Sequence, residues 1–215
     1  MIVLSLPTSL GTLGKYDDVE RTPEFALSGT EHKTIKPEVS DQEEYLKTVC
    51  SFARKNDFLA VGGDHSVSYG LVKGFKGRCP KGKVVILDAH PDCEVHTDVP
   101  THEDWIRILI EEKTVNPWDV GFVGVRKTTK RERRFMRENG LKNRVPDGED
   151  YYLSIDLDVL EDGDFFFKER GGISVGELLE TVRSMKPKVR CCDIVEGFPT
   201  ERMSKVIGEI VSILI

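Results

Sequence analysis

The sequence predicts an α/β fold, a mainly parallel sheet covered by helices on both faces. Short, continuously apolar runs alternate with segments of helical period, the pattern of strands buried on both sides and joined by crossover helices. The 215 residues, 39% hydrophobic and 32% charged, suit one globular unit over residues 1–215 with a sizeable core, and argue against disorder. No internal repeat, low-complexity linker or shift in composition marks a second domain.

Strands are expected at Ile2–Leu6, Phe58–Val61, Lys83–Leu87, Gly121–Val125, Tyr151–Ile155 and Val189–Val195. The first of these is too short for a signal peptide and lacks a basic start. Thr8–Glu38 has little periodicity and reads as an irregular surface excursion. A helix near Asp41–Lys55 opens with Ser40 and Glu43 at capping-box spacing and sets Leu46, Val49, Cys50 and Ala53 on one face. Further helices are expected near His65–Phe75, Glu103–Lys113 and Thr129–Asn139. Val175–Met185 follows a second capping box, Ser174 with Glu177. A last helix over Glu201–Leu214 carries the stripe Met203, Val206, Ile207, Ile210, Val211 and Leu214. The six basic residues between Arg126 and Arg134 read as a solvated helix start beside a strand end.

Composition excludes several function classes. With 31 basic against 37 acidic residues and a net charge of −6, the chain has no bulk charge with which to bind nucleic acid. No apolar run approaches the roughly 20 residues that cross a bilayer, so no membrane partner is expected. Five cysteines without CxxC spacing argue against a disulfide framework and for a reducing cytoplasm. Cys191 and Cys192 read as small core fillers.

Ligands of open parallel sheets bind at the carboxyl ends of the strands. Those ends read Gly62-Gly63-Asp64-His65-Ser66, Asp88-Ala89-His90-Pro91-Asp92, Asp156-Leu157-Asp158 and Glu196. Carboxylates gathered on one edge repel unless something positive holds them, and a bound metal is the economical answer. In extended chain, residues at i, i+2 and i+4 point to one side, so Asp88, His90 and Asp92 can converge, as can Asp156 and Asp158. Two histidines and four aspartates suit two divalent ions bridged by shared carboxylates, and excess carboxylate favours manganese. Each motif alone has a plainer reading: GGDHS as a tight turn with a core histidine, DLD as a surface pair. DAHPD is the specific one, with three ligand-type residues alternating directly after an apolar strand.

GGDHS (Gly62–Ser66), DAHPD (Asp88–Asp92), SIDLD (Ser154–Asp158) and DIVEGFP (Asp193–Pro199), in that order, resemble the ureohydrolases, which include arginase, agmatinase and formiminoglutamase. The likeness runs from about Val61 to Pro199. Val120–Arg126 is more similar to the agmatinase branch than to the arginases. The resemblance implies a three-layer α/β/α, arginase-like fold with a dinuclear manganese site. His65 and Asp92 would belong to one Mn2+, His90 and Asp158 to the other, with Asp88 and Asp156 bridging. Glu196 would pair with the guanidinium of the substrate and Asp158 would stand near the new hydroxyl. His102 would shuttle protons, with His96 as its competitor. The implied reaction is attack of a metal-activated hydroxide on a guanidino carbon, giving urea and an amine.

The chain departs from the family pattern in several places. Glu161-Asp162 follows SIDLD where Asp-Pro is usual, the next glycine-rich loop is shortened to Gly163–Arg170, and Glu103 follows His102 where glycine is usual. The chain ends at Ile215, without the tail that trimerises some arginases, which leaves homo-oligomer formation open. Glu94 stands where arginases carry an asparagine that helps hold an α-carboxylate. A carboxylate there would repel such a group and attract a distal ammonium, favouring agmatine or another amine-ended guanidine. The alternatives are a formiminoglutamate-type substrate, or a metal-binding subunit without catalysis. A nucleotide-binding domain is disfavoured because neither GxGxxG nor a Walker loop is present.

Overall fold

The computed structural model describes residues 1–12, 17–37, 41–96, 98–165 and 169–215. Seven parallel strands pair side by side: β1 (Ile2–Leu6), β2 (Lys33–Thr34), β3 (Phe58–Gly62), β4 (Lys83–Leu87), β5 (Val120–Val123), β6 (Tyr151–Asp156) and β7 (Val189–Val195). Their spatial order is β2-β1-β3-β7-β6-β4-β5. Helices α1 (Thr22–Ala26), α2 (Gln42–Ala53), α3 (Val67–Arg78), α4 (Trp105–Glu111), α5 (Lys130–Asn139), α6 (Val175–Met185) and α7 (Glu201–Leu214) connect them.

The expected fold class is therefore the observed one: three layers, α/β/α. Alternate residues of each central strand feed two separate cores. Phe58, Ala60, Val84, Ile86 and Tyr152 pack with Leu46, Val49, Leu71, Phe75, Trp105 and Leu109 from α2, α3 and α4. Leu59, Val61, Val85, Leu87, Leu153 and Ile155 pack on the other side with Leu178, Val182, Ile207 and Ile210 from α6 and α7. Burial on both faces is why these strands read as unbroken apolar runs.

The sequence-based boundaries of α6 and α7 coincide with the observed ones, and Ser174 with Glu177 forms the expected capping box. Ser40 lies outside the described residues; α2 is capped instead by Asp41, whose side chain accepts from the Glu44 N–H. Thr129 and Glu132 form a further capping box at α5 that the sequence reading missed. The stretch read as irregular, whose residues 13–16 and 38 also lie outside the described ones, contains α1 and the two-residue strand β2. Both are too short to impose a period. Of the Gly163–Arg170 loop, residues 166–168 lie outside the described ones.

Arg126 does not join the solvated basic face. Its half-buried guanidinium donates to the carbonyls of Gly124, Asp158, Val159, Leu160 and Glu169, tying the end of β5 to the segment after β6.

The order of the strands sets where a site can form. The chain leaves β3 and re-enters the sheet at β4 with β7 and β6 between them, so the carboxyl ends of β3, β7, β6 and β4 stand adjacent. Register keeps them level: Leu87 pairs with Ile155, and Asp156 with Val195. At the end of β3 the backbone of Gly63 approaches the loop after β1 so closely that a Cβ there would lie 1.8 Å from the Thr8 carbonyl oxygen. Gly63→Ala is accordingly expected to destabilise the fold by about 1–3 kcal/mol, the range for forced overpacking, read as a lowered urea midpoint with unchanged slope.

Candidate metal centre

Each of the four adjacent strand ends delivers its polar residues to one point. His65, in the turn between β3 and α3, is fully buried, and its Nδ1 lies 2.8 Å from Asp92 Oδ2, 3.2 Å from Asp156 Oδ2 and 3.3 Å from Asp88 Oδ2. His90 Nδ1 lies 2.8 Å from Asp158 Oδ2 and 3.7 Å from Asp88 Oδ1. Two groups could therefore each hold a metal ion: His65 with Asp88 and Asp156, and Asp88 with His90 and Asp158. The ligand atoms within each group lie within 4.8 Å of one another, and Asp88 is common to both. All six residues expected as ligands converge.

The route to convergence differs from the expected one. Asp88, His90 and Asp92 do not alternate along an extended chain. Asp88 Oδ1 accepts from the His90 N–H at 2.5 Å, and Asp92 has a left-handed backbone with φ of 45°. Asp156 likewise caps a 3-10 turn and accepts from the Asp158 N–H at 2.8 Å. Carboxylates closing turns on the backbone two residues ahead bend the chain back on itself, and that bend gathers the side chains.

The residues fit divalent cations on two independent counts. His65 Nδ1, Asp88 Oδ2 and Asp158 Oδ2 are buried without a hydrogen-bond partner, which native proteins rarely tolerate. Their protons are also accounted for. Asp193, fully buried on β7, accepts from Ser154 Oγ at 2.6 Å, from Ser68 Oγ at 2.6 Å and from the Tyr152 hydroxyl. With its proton committed to Asp193, Ser154 Oγ accepts from His65 Nε2 at 2.9 Å. That leaves the Nδ1 lone pair aimed at three carboxylates, an arrangement a cation completes.

Without a cation the same carboxylates favour protons: burial opposes a charged His65, yet Asp92, Asp156 and Asp88 outweigh it and raise the imidazole well above its ordinary range. Burial and the charges of Asp92, Asp158 and Asp156 push the Asp88 carboxyl well above its ordinary range. Burial and Asp158 push Asp156 up to about 7. Burial disfavours a charged His90, yet Asp158 outweighs it and raises the imidazole to about 9. Glu196 is raised well above its usual value by burial and by Asp156. Among the described residues no lysine or arginine forms an ion pair with this cluster.

A cavity of about 490 Å³ opens over the cluster, lined in part by His90, Asp92, Asp156, His102 and Glu196. Glu196 is buried at a left-handed φ of 63°, and its Oε1 accepts from the His65 N–H at 3.2 Å. His102 Nδ1 lies 4.0 Å from Glu196 Oε1. His96 Nε2 lies 2.9 Å from Glu111 on the surface, so of the two shuttle candidates it is His102 that lines the cavity. Glu94 also lines the cavity, but Thr129 Oγ1 (2.7 Å), the Val95 N–H (2.9 Å) and Arg131 (3.8 Å) already engage its carboxylate. Partial burial opposes its charge, and those three partners outweigh it and hold the carboxyl below its ordinary range.

Sequence reasoning missed three supporting residues. Asp64 of the GGDHS motif is no part of the cluster: it accepts from the Gly11 and Ser66 N–H groups and anchors the loop after β1. Asp193 holds the Ser154 relay, and Trp105 donates Nε1–H to Asp92 Oδ2 at 2.9 Å. The carboxylate in DIVE and the tryptophan after His102 were visible in the sequence; which strand neighbours they meet was not.

A parallel three-layer α/β/α sheet with a buried imidazole–carboxylate cluster at the carboxyl ends of its central strands is the arginase-like fold class expected from the sequence. Within it, this chain belongs to the arginase family, whose model matches residues 14–145. An agmatinase of Bacillus subtilis is 29% identical over 179 residues, 73% of this chain and 60% of that protein. The chain thus spans about three fifths of that relative's length. A formimidoylglutamase from Bacillus subtilis superposes with a TM-score of 0.87 at 18% identity, covering 99% of this chain and 85% of the other. A formiminoglutamase variant from Trypanosoma cruzi, described with Mn2+, gives 0.86 at 14% identity, covering 99% and 91%. Asp156, Asp158 and Glu196 lie beyond the matched segment and reach the cluster through the fold.

A cation entering here displaces protons from groups raised to about 7 and about 9. Affinity for a divalent cation is therefore expected to climb as pH rises from about 6 to about 9, with net proton release. Calorimetric titration in two buffers of different ionisation enthalpy measures that release.

Proposed function

We propose that this chain is a manganese-dependent hydrolase that cleaves a guanidino C–N bond to give urea and an amine, agmatinase-like more than arginase-like. The observation that carries the reading is the buried cluster of two imidazoles and four aspartates beneath a cavity that also holds Glu196 and His102. His65, Asp88, His90, Asp92, Asp156 and Asp158 would hold two Mn2+ ions; Asp88 is common to both candidate groups, and Asp156 is the second bridging ligand that the family resemblance implies. Excess carboxylate over imidazole favours manganese among transition metals, and the Trypanosoma cruzi structure is described with Mn2+. The ions would supply a hydroxide nucleophile near neutral pH.

The remaining steps belong to the protein's own residues. Glu196 receives the planar guanidinium through a charge-assisted pair and presents its central carbon to the cluster. A cationic group beside Glu196 also favours the ionised carboxylate that burial otherwise opposes. Asp158, held by the Ala89 N–H at 3.0 Å, stands where a newly formed hydroxyl can be accepted. The leaving amine must gain a proton, and His102, beside Glu196 at the cavity wall, relays it from solvent.

The far end of the substrate meets a wall that includes Glu94, Glu103 and Glu169. That wall favours a distal ammonium over a distal carboxylate, and hence agmatine or a similar amine-ended guanidine. One observation favours a second reading. Lys127 also lines the cavity, paired with Glu169 Oε1 at 3.1 Å, and could receive the carboxylate of a formimino amino acid. Five free thiols fit work in the cytoplasm, and no described helix is long and apolar enough to cross a membrane.

With Mn2+ added, urea release is expected from agmatine in preference to arginine or guanidinobutyrate. His102→Ala is expected to lower kcat by roughly 10²-fold or more with Mn2+ content unchanged. Asp156→Ala is expected to lose both metal and activity. Full Mn2+ loading without turnover of any guanidine or formimino compound would favour the non-catalytic alternative.

A further inference from the structure

Trp105 stands apart from the rest of the buried core. It is fully buried at the start of α4, and it touches the two residues that converge on one side of the cluster. Its indole Nε1–H donates to Asp92 Oδ2 at 2.9 Å, and its ring lies against the His65 imidazole with centroids 5.0 Å apart and planes tilted by 44°. The other candidate group is held by different means: Asp158 by the Ala89 N–H and by Arg126 on its carbonyl, His90 by its own turn.

We propose that Trp105 is the positioning residue of the His65–Asp92 side of the centre, setting the affinity of that metal position alone. The inference rests on the metal-centre reading above and goes beyond it by separating the two positions.

Asp92 needs a hold from outside its own backbone. A non-glycine residue at φ of 45° persists only where its surroundings hold it. It lies after β4 in chain without regular secondary structure, so sheet hydrogen bonds cannot supply that hold. An indole nitrogen donates and never accepts, so its single bond fixes Oδ2 while leaving that oxygen's other lone pair directed at His65 Nδ1, 2.8 Å away. The same ring blocks rotation of His65 from one face, while Ser154 fixes its edge through Nε2. One side chain thus preorganises two ligands, and ordering that is complete before the ion arrives need not be supplied by the ion. Outer partners of this kind are worth about 10- to 100-fold in metal affinity.

The chain provides its own reporter, because it holds only two tryptophans. Trp118 is 70% exposed in the turn before β5, at the amino edge of the sheet, away from the cluster. In Trp118→Phe the remaining emission comes from Trp105 alone. Mn2+ is paramagnetic, and its titration into Trp118→Phe should quench that emission in step with Mn2+ uptake followed by electron paramagnetic resonance. Trp105→Phe keeps an aromatic ring and removes the N–H. It should weaken one of the two Mn2+ positions by roughly 10-fold or more and leave the other unchanged.

Quenching in Trp118→Phe needs no change at Trp105, so it stands even if Trp105→Phe folds poorly. Two tight Mn2+ ions with unaltered Trp105 emission would overturn the proposal while sparing the metal centre. So would equal weakening of both positions in a folded Trp105→Phe. No Mn2+ uptake by the wild-type chain would overturn the metal-centre reading and this inference together.

Discussion

The interaction on which the rest of this structure depends is the repulsion among buried carboxylates at one edge of the sheet. The opposite edge shows what balance looks like in the same molecule. There Asp57 pairs with Arg78 and Arg190, Asp150 with Arg190, and Asp119 with Lys76 and Lys83. At the carboxyl edge, Asp88, Asp156 and Asp158 are deeply buried and meet imidazoles instead. A histidine can be neutral, so it offers a lone pair where lysine or arginine would offer only charge. An edge built this way carries charge that a bound cation would offset, which would tie its free energy to binding.

The fold serves that edge through topology before chemistry. Inserting β7 and β6 between β3 and β4 brings residues from distant parts of the chain to four neighbouring strand ends. Short turns then aim the side chains, closed by Asp88 on His90 and by Asp156 on Asp158. Beneath them, Asp193 accepts three hydroxyls and transmits its hold through Ser154 to His65. Each tier fixes the next, so the imidazole and carboxylate atoms are placed by the core.

What could be read from the sequence follows from which of these tiers leaves a local trace. Double-sided burial writes itself as apolar runs, so β1, β3, β4, β5, β6 and β7 were visible, as was the stripe of α7. Ligand-type residues directly after those runs gave the six metal candidates and Glu196. Short elements such as β2 and α1 have too few residues to show a period. The part of Trp105 depends on a contact to Asp92, thirteen positions away, and that of Asp193 on strands paired across the sheet. Spacing cannot encode such neighbours. Asp88, His90 and Asp92 do converge, but through turns and not through an extended chain, because turn formation by aspartate competes with extension.

Glu196 bears most directly on whether this centre does chemistry or only holds metal. A purely structural site needs its six ligands and nothing more. Glu196 lies outside both candidate metal groups, yet it sits buried in a left-handed backbone beside them, with a carboxyl that burial and Asp156 make hard to ionise. Its backbone is fastened to Gly63 and its side chain to the His65 N–H, so the strained placement is enforced from two sides. Strain of this kind is found where a ligand needs a group in a place the chain would not otherwise put it. A planar cation in the cavity would compensate Glu196 and, across 4.0 Å, meet His102. That placement supports the proposed reading of Glu196 as the receiving end for a guanidinium, because the six candidate ligands by themselves do not call for it.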